Sequence, residues 1–439
     1  MQRFFRIGNL IIVLLFLFIS AFLITNVELP PWSHAISALS VLIFAAPAFW
    51  AAKMWLGWRD AATLFAVLGL FALFVETAAI TTGLPYGHFG YSERLGYKLF
   101  DAVPWTVAFA WTPLILAAYS ISAKIGNSVV GRVLTTTFVL LVFDLVIDAG
   151  AVYLGFWKYA GGGLFYGVPV SNFAGWLVSG LAGAIFMELM VSYLKPLLPV
   201  PVQLSSSAFF IIFFWTAVAL FAGLTVPAVL GALVLVALAF FWRRYQFAFD
   251  DMIVFVDESG NAIGTTSKLE AHNSETRLHR AFSVFIFNRR GEVLLQQRSF
   301  GKKTWPGVWS NSCCGHVMLH ESTERAAARR LKYELGLTGV SPVVALPDFR
   351  YRAEKDGVVE NEICPVLIGF TDEEPQLNPT EVATIRWIDW YEFLASVDRP
   401  DTEISPWAVK EVRLLADSDV FQKWFRTRVP VSETHAAVR

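Results

Sequence analysis

The sequence predicts a multidomain protein: a polytopic α-helical membrane domain of about eight transmembrane helices, followed by an α+β domain. Three observations carry this. Of 439 residues, 55% are hydrophobic and only 16% charged, too apolar a mix for a wholly water-soluble chain. Apolar runs of about 20 residues, the length needed to cross a hydrocarbon core of about 30 Å, recur up to residue 242 and then stop. Beyond Arg243 and Arg244 charged residues and short alternating segments take over. The expected divisions are a membrane domain over 1–245, an α+β domain over 246–425 and a C-terminal tail over 426–439.

The apolar runs lie near 8–26, 34–52, 61–82, 104–123, 129–150, 172–194, 207–224 and 225–242, the last two joined tightly at Thr225 and Pro227. Arg3 and Arg6 precede the first run as in a signal peptide. No small-residue cleavage site comes before Glu28 and further spans follow, so an uncleaved helix is expected. With an even number of spans, one side carries nine cations: Arg3, Arg6, Lys53, Arg59, Lys124, Arg132, Lys195, Arg243 and Arg244. The other carries Arg94, Lys98 and Lys158. The positive-inside rule then places both termini and the α+β domain in the cytoplasm, with the spans in the cell inner membrane. Cys313, Cys314 and Cys364 all fall in the polar part, and adjacent cysteines rarely pair with each other, so reduced cytoplasmic thiols are expected. A formal net charge of -1 and the absence of a basic run with interleaved aromatics exclude nucleic acid as an expected partner.

Carboxylates inside spans are expensive in hydrocarbon and point to function. Glu76, Asp144, Asp148 and Glu188 qualify, and Asp144 and Asp148, four apart, share a helix face. Two loops, Gly83 to Trp105 and Gly155 to Trp176, are dense in Gly and aromatics, suiting interfacial rings and a lid over an apolar pocket. The order YGHFGYSERLG, VPW, D-x-x-x-D, FW and YGVPVSNFAGW resembles the carotenoid biosynthesis membrane proteins of the bisanhydrobacterioruberin and γ-carotene hydratase group, over roughly Pro30 to Phe241. The resemblance implies a carotenoid partner and hydration of a terminal double bond. The alkene is protonated to a tertiary cation, and water captures the cation. A buried carboxylic acid could deliver the proton and aromatic faces could stabilise the cation, with Asp144, Asp148 and Glu76 as candidates. A prenyltransferase is disfavoured, since no D-D-x-x-D pair is present to hold a magnesium diphosphate.

In the polar part, MIVFVDESGNAIG reads as a strand, a turn and a second strand. Phe282 to Phe287 and Glu292 to Gln297 read as a hairpin about Asn288 to Gly291. Strands are expected near Val343–Leu346, Phe349–Ala353, Asn361–Thr371 and Thr384–Ile388, and a terminal helix over Pro406–Leu415. The stretch from Asn311 to Glu334 places Cys314 and His316 ahead of an amphipathic helix read as carrying Glu321, Arg329, Arg330 and Glu334, the layout of a phosphate-and-metal site. Gly315, Glu321, Arg329, Glu334 and Gly336 match the Nudix pattern, but Arg330 and Tyr333 replace its two middle acids. Without those acids a metal cannot be held for diphosphate hydrolysis in the usual way.

The motifs AHNSETRLHRAF, RSFGKKTWPGVWSNSCCGH, RRLKYELG, DFRYRA, ENEICPV and SPW, spread over Met252 to Trp424, resemble type I isopentenyl diphosphate isomerases of the Nudix superfamily. The resemblance implies isopentenyl and dimethylallyl diphosphate as substrate and product. His272, His279, His316, Glu360 and Glu362 would hold one divalent ion, and such a mixed N/O set is compatible with Mn2+, Mg2+ or Zn2+. Arg298, Lys302 and Arg330 would clamp the diphosphate, with Glu334 on a second, substrate-bound Mg2+. Moving an unactivated double bond by one carbon needs an acid on one face and a base on the other. The resemblance assigns these to Cys314 and Glu362, with Tyr351 near the carboxylate and the ring of Trp407 against the cation. A bifunctional isoprenoid and carotenoid biosynthesis protein is therefore expected. The alternatives are a non-catalytic anchor or carotenoid-binding module in the membrane, or a Nudix diphosphate hydrolase in the soluble half.

Overall fold

The computed structural model describes residues 2–30, 32–126, 128–245, 248–399 and 402–429. The chain separates into two compact units, Met1–Phe247 and Ala248–Arg439. In the first unit, among the described residues, eight helical segments are long and apolar enough to cross a membrane: α1 (Gln2–Asn26), α2 (Ser33–Leu56), α3 (Trp58–Thr82), α4 (Val107–Ile125), α5 (Val129–Tyr153), α6 (Val170–Leu194), α7 (Ser206–Phe221), which with the preceding tight turn spans Val202–Phe221, and α8 (Thr225–Arg244). Local chemistry sets their ends. Gly83, at φ 79°, closes α3, and Ser128 caps α5 by accepting the Gly131 N–H. The fourth helix starts later than the apolar run from 104 suggests, because Val103–Pro104 (β3) pairs back with Lys98–Leu99 (β2). Small residues bring helices close. A Cβ on Gly183 of α6 would lie 2.6 Å from the Trp111 ring of α4.

The two aromatic loops do not act separately. Phe89–Tyr91 (β1) and Trp157–Tyr159 (β4) form an antiparallel ribbon with Phe89 opposite Tyr159 and Tyr91 opposite Trp157. Loop residues 66 to 70 positions apart in sequence are thus locked in register.

The second unit is built on an eleven-stranded sheet. In chain order its elements are β5 (Met252–Val256), β6 (Ala262–Ser267), α9 (Lys268–Ala271), β7 (His279–Phe287), β8 (Glu292–Arg298), β9 (Trp309–Ser310), β10 (Cys313–His316) and α10 (Thr323–Leu335). Then come β11 (Val343–Leu346), β12 (Arg350–Lys355), β13 (Val358–Ile363), β14 (Val366–Phe370), β15 (Val382–Asp389), α11 (Trp390–Ser396), α12 (Pro406–Ala416) and α13 (Asp419–Arg428). Strand β7 is the centre. Its Phe282, Val284 and Ile286 pack against Ala326, Ala327, Leu331 and Leu335 of α10, while Phe285 and Phe287 pack on the other side with Trp390, Phe393, Trp407 and Phe421. The alternation of a strand buried on both faces thus makes two cores, one on each side.

Three sequence expectations need correction. The single strand expected over Asn361–Thr371 is two, β13 and β14, both parallel to β7 and separated at Cys364–Pro365, where proline has no N–H to give. Glu321 lies ahead of α10, not on it. Ser322 is the N-cap, accepting from Arg325, and Glu321 instead reaches Arg329 at 2.8 Å. Arg426, Thr427 and Arg428, expected in a tail, belong to α13, and residues 430–439 of that tail lie outside the described residues.

Candidate active sites

In the second unit the register of four neighbouring strands assembles the site. Across β10 and β7, Cys314 faces Ser283 and His316 faces Ala281. Across β7 and β13, His279 faces Glu362, and across β13 and β12, Glu362 faces Tyr351. Residues paired across strands share a face, so sulfur, imidazoles, carboxylate and phenol all emerge on the side covered by α12. Cys313, one residue before Cys314, turns into the opposite core with α10.

His272, His279, His316 and Glu362 each offer a donor atom, all within 4.8 Å of one another. Nε2 of His279 and of His316 lie 3.4 and 3.5 Å from Glu362 Oε1, and Nε2 of His272 lies 3.1 Å from Glu360 Oε2. Nδ1 of His272 and His279 sit 3.1 and 2.9 Å from the carbonyls of Lys268 and Arg277. A hydrogen on each Nδ1 leaves Nε2 as a bare lone pair pointing inward. The buried His279 Nε2, His316 Nε2 and Glu360 Oε2 have no hydrogen-bond partner. Converging acceptors without donors are what a divalent cation satisfies, so the residue set fits a metal. Burial pushes the His316 imidazole down to about 3, keeping it neutral. Burial pushes the Glu362 carboxyl up, but His279 and His316 outweigh it and hold that carboxyl below the usual carboxylate range.

A cationic group lies beside this cluster. Glu381 ties Lys302 Nζ at 2.6 Å to Arg330 at 3.2 Å, and Arg330 also pairs with Glu334. Gly315 makes room for Arg330, since a Cβ there would lie 3.0 Å from Arg330 Cγ. Arg298 gives Nη2 and Nε to the carbonyls of Thr304 and Trp305 at 3.0 and 3.1 Å, shaping the loop that carries Lys302. Lys268 of α9, which the sequence reading missed, is close enough to feel the charges of Arg330, Lys302 and Arg298.

The thiol lies among apolar rings. Burial pushes Cys314 up to about 12, with the Glu411 carboxyl adding to the effect. Trp407 stacks on Tyr351 at 5.6 Å and meets Trp305 edge-on at 5.1 Å. Glu411, one turn after Trp407, was also missed. It is fully buried, neither of its oxygens has a hydrogen-bond partner, and burial pushes it up to about 8.

In the first unit one cavity gathers Glu76 from α3, Asp144 and Asp148 from α5, Asn172 from α6 and the ribbon's aromatics. Asn172 Nδ2 bridges the aspartates, 3.1 Å to Asp144 Oδ2 and 2.6 Å to Asp148 Oδ2. The ribbon lowers a phenol onto each side: Tyr159 donates to Asp148 at 3.0 Å and Tyr91 to Glu76 at 3.0 Å. Asp144 Oδ1 is buried without a partner. The indoles of Trp111, Trp157 and Trp176 complete the walls. Glu188 is not part of this cavity. It is held by Arg132 at 2.6 Å, an ordinary ion pair between α5 and α6.

A mixed sheet flanked by α10 and by α11–α13, with a His/Glu cluster and a diphosphate-sized group of cations, defines a Nudix-domain protein. Residues 277–408 match the family described as NUDIX domain, and residues 35–238 match the one described as Carotenoid biosynthesis protein. The isopentenyl-diphosphate Delta-isomerase of Saccharopolyspora erythraea is 50% identical over 168 residues, covering 38% of this chain and 87% of that relative. The one of Shigella dysenteriae is 44% identical over 160 residues, covering 36% of this chain and 88% of the relative. The chain belongs to the isopentenyl-diphosphate Delta-isomerase family, with a carotenoid biosynthesis domain ahead of its Nudix domain.

Proposed function

We propose that this chain is a bifunctional enzyme of isoprenoid and carotenoid biosynthesis, with a membrane domain over 1–245 and an isomerase domain over 246–425. The isomerase domain converts isopentenyl to dimethylallyl diphosphate. Arg298, Lys302 and Arg330, joined by Lys268, receive the diphosphate, whose arrival displaces Glu381 as their counter-charge. The prenyl tail lies among Tyr351, Trp305 and Trp407, away from water. Cys314 and Glu362 address the two faces of the olefin, one giving a proton to the terminal carbon and the other removing one from the neighbouring methylene. The tertiary cation between these events rests against the Trp407 ring. His272, His279, His316, Glu360 and Glu362 hold a divalent ion, Mn2+, Mg2+ or Zn2+, and Glu334 serves an Mg2+ carried by the diphosphate. Such ions supply fixed positive charge that orients Glu362 and offsets the diphosphate. The observation that carries this reading is the common sheet face of Cys314, His279, His316 and Glu362. Expression in a host unable to make dimethylallyl diphosphate tests it. The wild-type chain should rescue growth and Cys314→Ala should not.

The membrane domain, in the cell inner membrane with both termini cytoplasmic, hydrates a terminal double bond of an acyclic carotenoid. Only the end group of so long a hydrocarbon enters the cavity. Asp144, Asp148 or Glu76 donates the proton, and the rings of Tyr91, Trp157 and Trp176 face the cation until water adds. In a lycopene-making host the wild-type chain should add water to the pigment, read by mass. Asp148→Asn should not. Unhydrated pigment from the wild type would leave the domain an anchor or a carotenoid-binding module.

A further inference from the structure

Asn311 is fully buried on the turn between β9 and β10. Its Nδ2 donates to two backbone carbonyls, Val284 O on β7 at 3.1 Å and Cys313 O at 2.9 Å. These bonds use both amide hydrogens and decide how the group is turned, because a flip would aim its oxygen at two other oxygens. Oδ1 therefore points the other way, and three donors reach it: Ser310 Oγ at 2.7 Å, Cys314 Sγ at 2.9 Å and Trp407 Nε1 at 3.3 Å. A carbonyl oxygen has two lone pairs, so the three compete and the indole holds the weakest share. Ser310 has an alternative partner in Ser405 Oγ at 2.9 Å, whereas Ser283 Oγ is farther from the thiol, at 3.6 Å.

We propose that Asn311 is a positioning residue of the isomerase site, setting the direction of the Cys314 S–H bond and tying that thiol to Trp407 through one shared acceptor. This rests on the isomerase reading above. With no olefin present the S–H bond is spent on the amide oxygen. When a prenyl tail enters, the thiol turns toward the double bond, and the indole N–H moves onto the lone pair it leaves. No buried acceptor is stranded by the rotation, so it is cheap. The ring that faces the cation and the sulfur that exchanges the proton then shift together. The backbone anchors on β7 and β10 keep the amide still while they do.

The test uses the full-length protein in detergent with Mg2+ and Mn2+, and reads the infrared S–H stretching band of Cys314, assigned by its loss in Cys314→Ala. In Asn311→Ala the freed thiol band should move to higher frequency. There kcat should fall about 10–100-fold, as for a misplaced reacting group, with KM changed less than about threefold. Trp407→Phe removes the competing N–H but leaves the amide, so the thiol band should move to lower frequency; this variant decides the matter if Asn311→Ala does not fold. A thiol band unmoved in the variants that fold overturns the proposal, as does a rise in KM with kcat unchanged. If the isomerase reading itself is wrong, the wild type shows no turnover at all while the band still shifts, so the two failures are distinguishable.

Discussion

Both halves of this chain collect carboxyl groups away from water, and they give them opposite company. Glu362 and Glu360 face imidazoles, with Lys302 and Arg330 close by. Asp144, Asp148 and Glu76 face an amide and two phenols, and no Lys, Arg or His is among the described residues lining their cavity. The first arrangement suits a polyanion that arrives with a metal. The second suits a neutral hydrocarbon, which brings no charge to offset. The carriers differ too. In the isomerase domain strand register fixes the chemistry, so the groups are rigid. In the membrane domain helices hold the acids while a two-stranded ribbon of loops supplies their hydroxyl partners.

The sharpest way to break this comparison is to disable one half and measure the other. Glu362→Gln should lower isomerase turnover about 10²–10⁴-fold, as loss of an acid–base group does, while pigment hydration in the same cells stays intact. Asp148→Asn should give the mirror result, hydrated pigment falling by a similar factor with isomerase turnover unchanged. If either substitution silences both activities, the halves are not independent sites. Chelation should separate them again. Removing divalent ions should stop the isomerase reversibly, restored by Mg2+ with Mn2+, and leave hydration as it was.

A smaller effect concerns stability. The folded-state carboxyl of Glu411 is pushed up to about 8 from an ordinary 4.5, so between these values the native state holds a proton that the unfolded chain has released. Its contribution is therefore fully present below about pH 4.5 and is lost as pH rises through about 8. The thermal midpoint of the isomerase domain within the full-length protein should fall over that window, and Glu411→Gln should flatten the fall. A slope unchanged by the substitution would mean that the carboxyl finds a partner in solution. Smallest is Tyr91→Phe. One hydrogen bond to a carboxyl contributes about 1 kcal/mol, so hydration should slow only about fivefold, with Tyr159→Phe behaving alike.

The spans, the Glu188-type ion pairs and the two loops differ in how far they could be read from the chain. Hydropathy is a property of composition over about 20 residues, and all eight spans were readable from it. The loops were readable as aromatic and Gly-rich, but not as partners, because nothing local says that Tyr91 will sit opposite Trp157. Glu188 and Asp148 look alike as acids within spans. Only the position of Arg132 on the neighbouring face separates the ion pair from the cavity. In the second unit, motifs singled out His272, His279, His316, Glu360, Glu362 and Cys314. Lys268, Glu381 and Glu411 lie in no motif, and Asn311 lies in one without a role, because each matters through neighbours that are distant in sequence.

Segment lengths and the membrane-spanning character of the first half follow from the chain alone, since hydrophobicity acts over a few residues, and the residue types of the isomerase cluster follow from the motifs that resemble the isomerases. Which acid meets a phenol, which thiol faces the site and which enters the core, and where a strand breaks at Pro365 depend on register between distant strands and on the packing of helix against helix. Those are long-range relations, and only folding brings their members within hydrogen-bond reach.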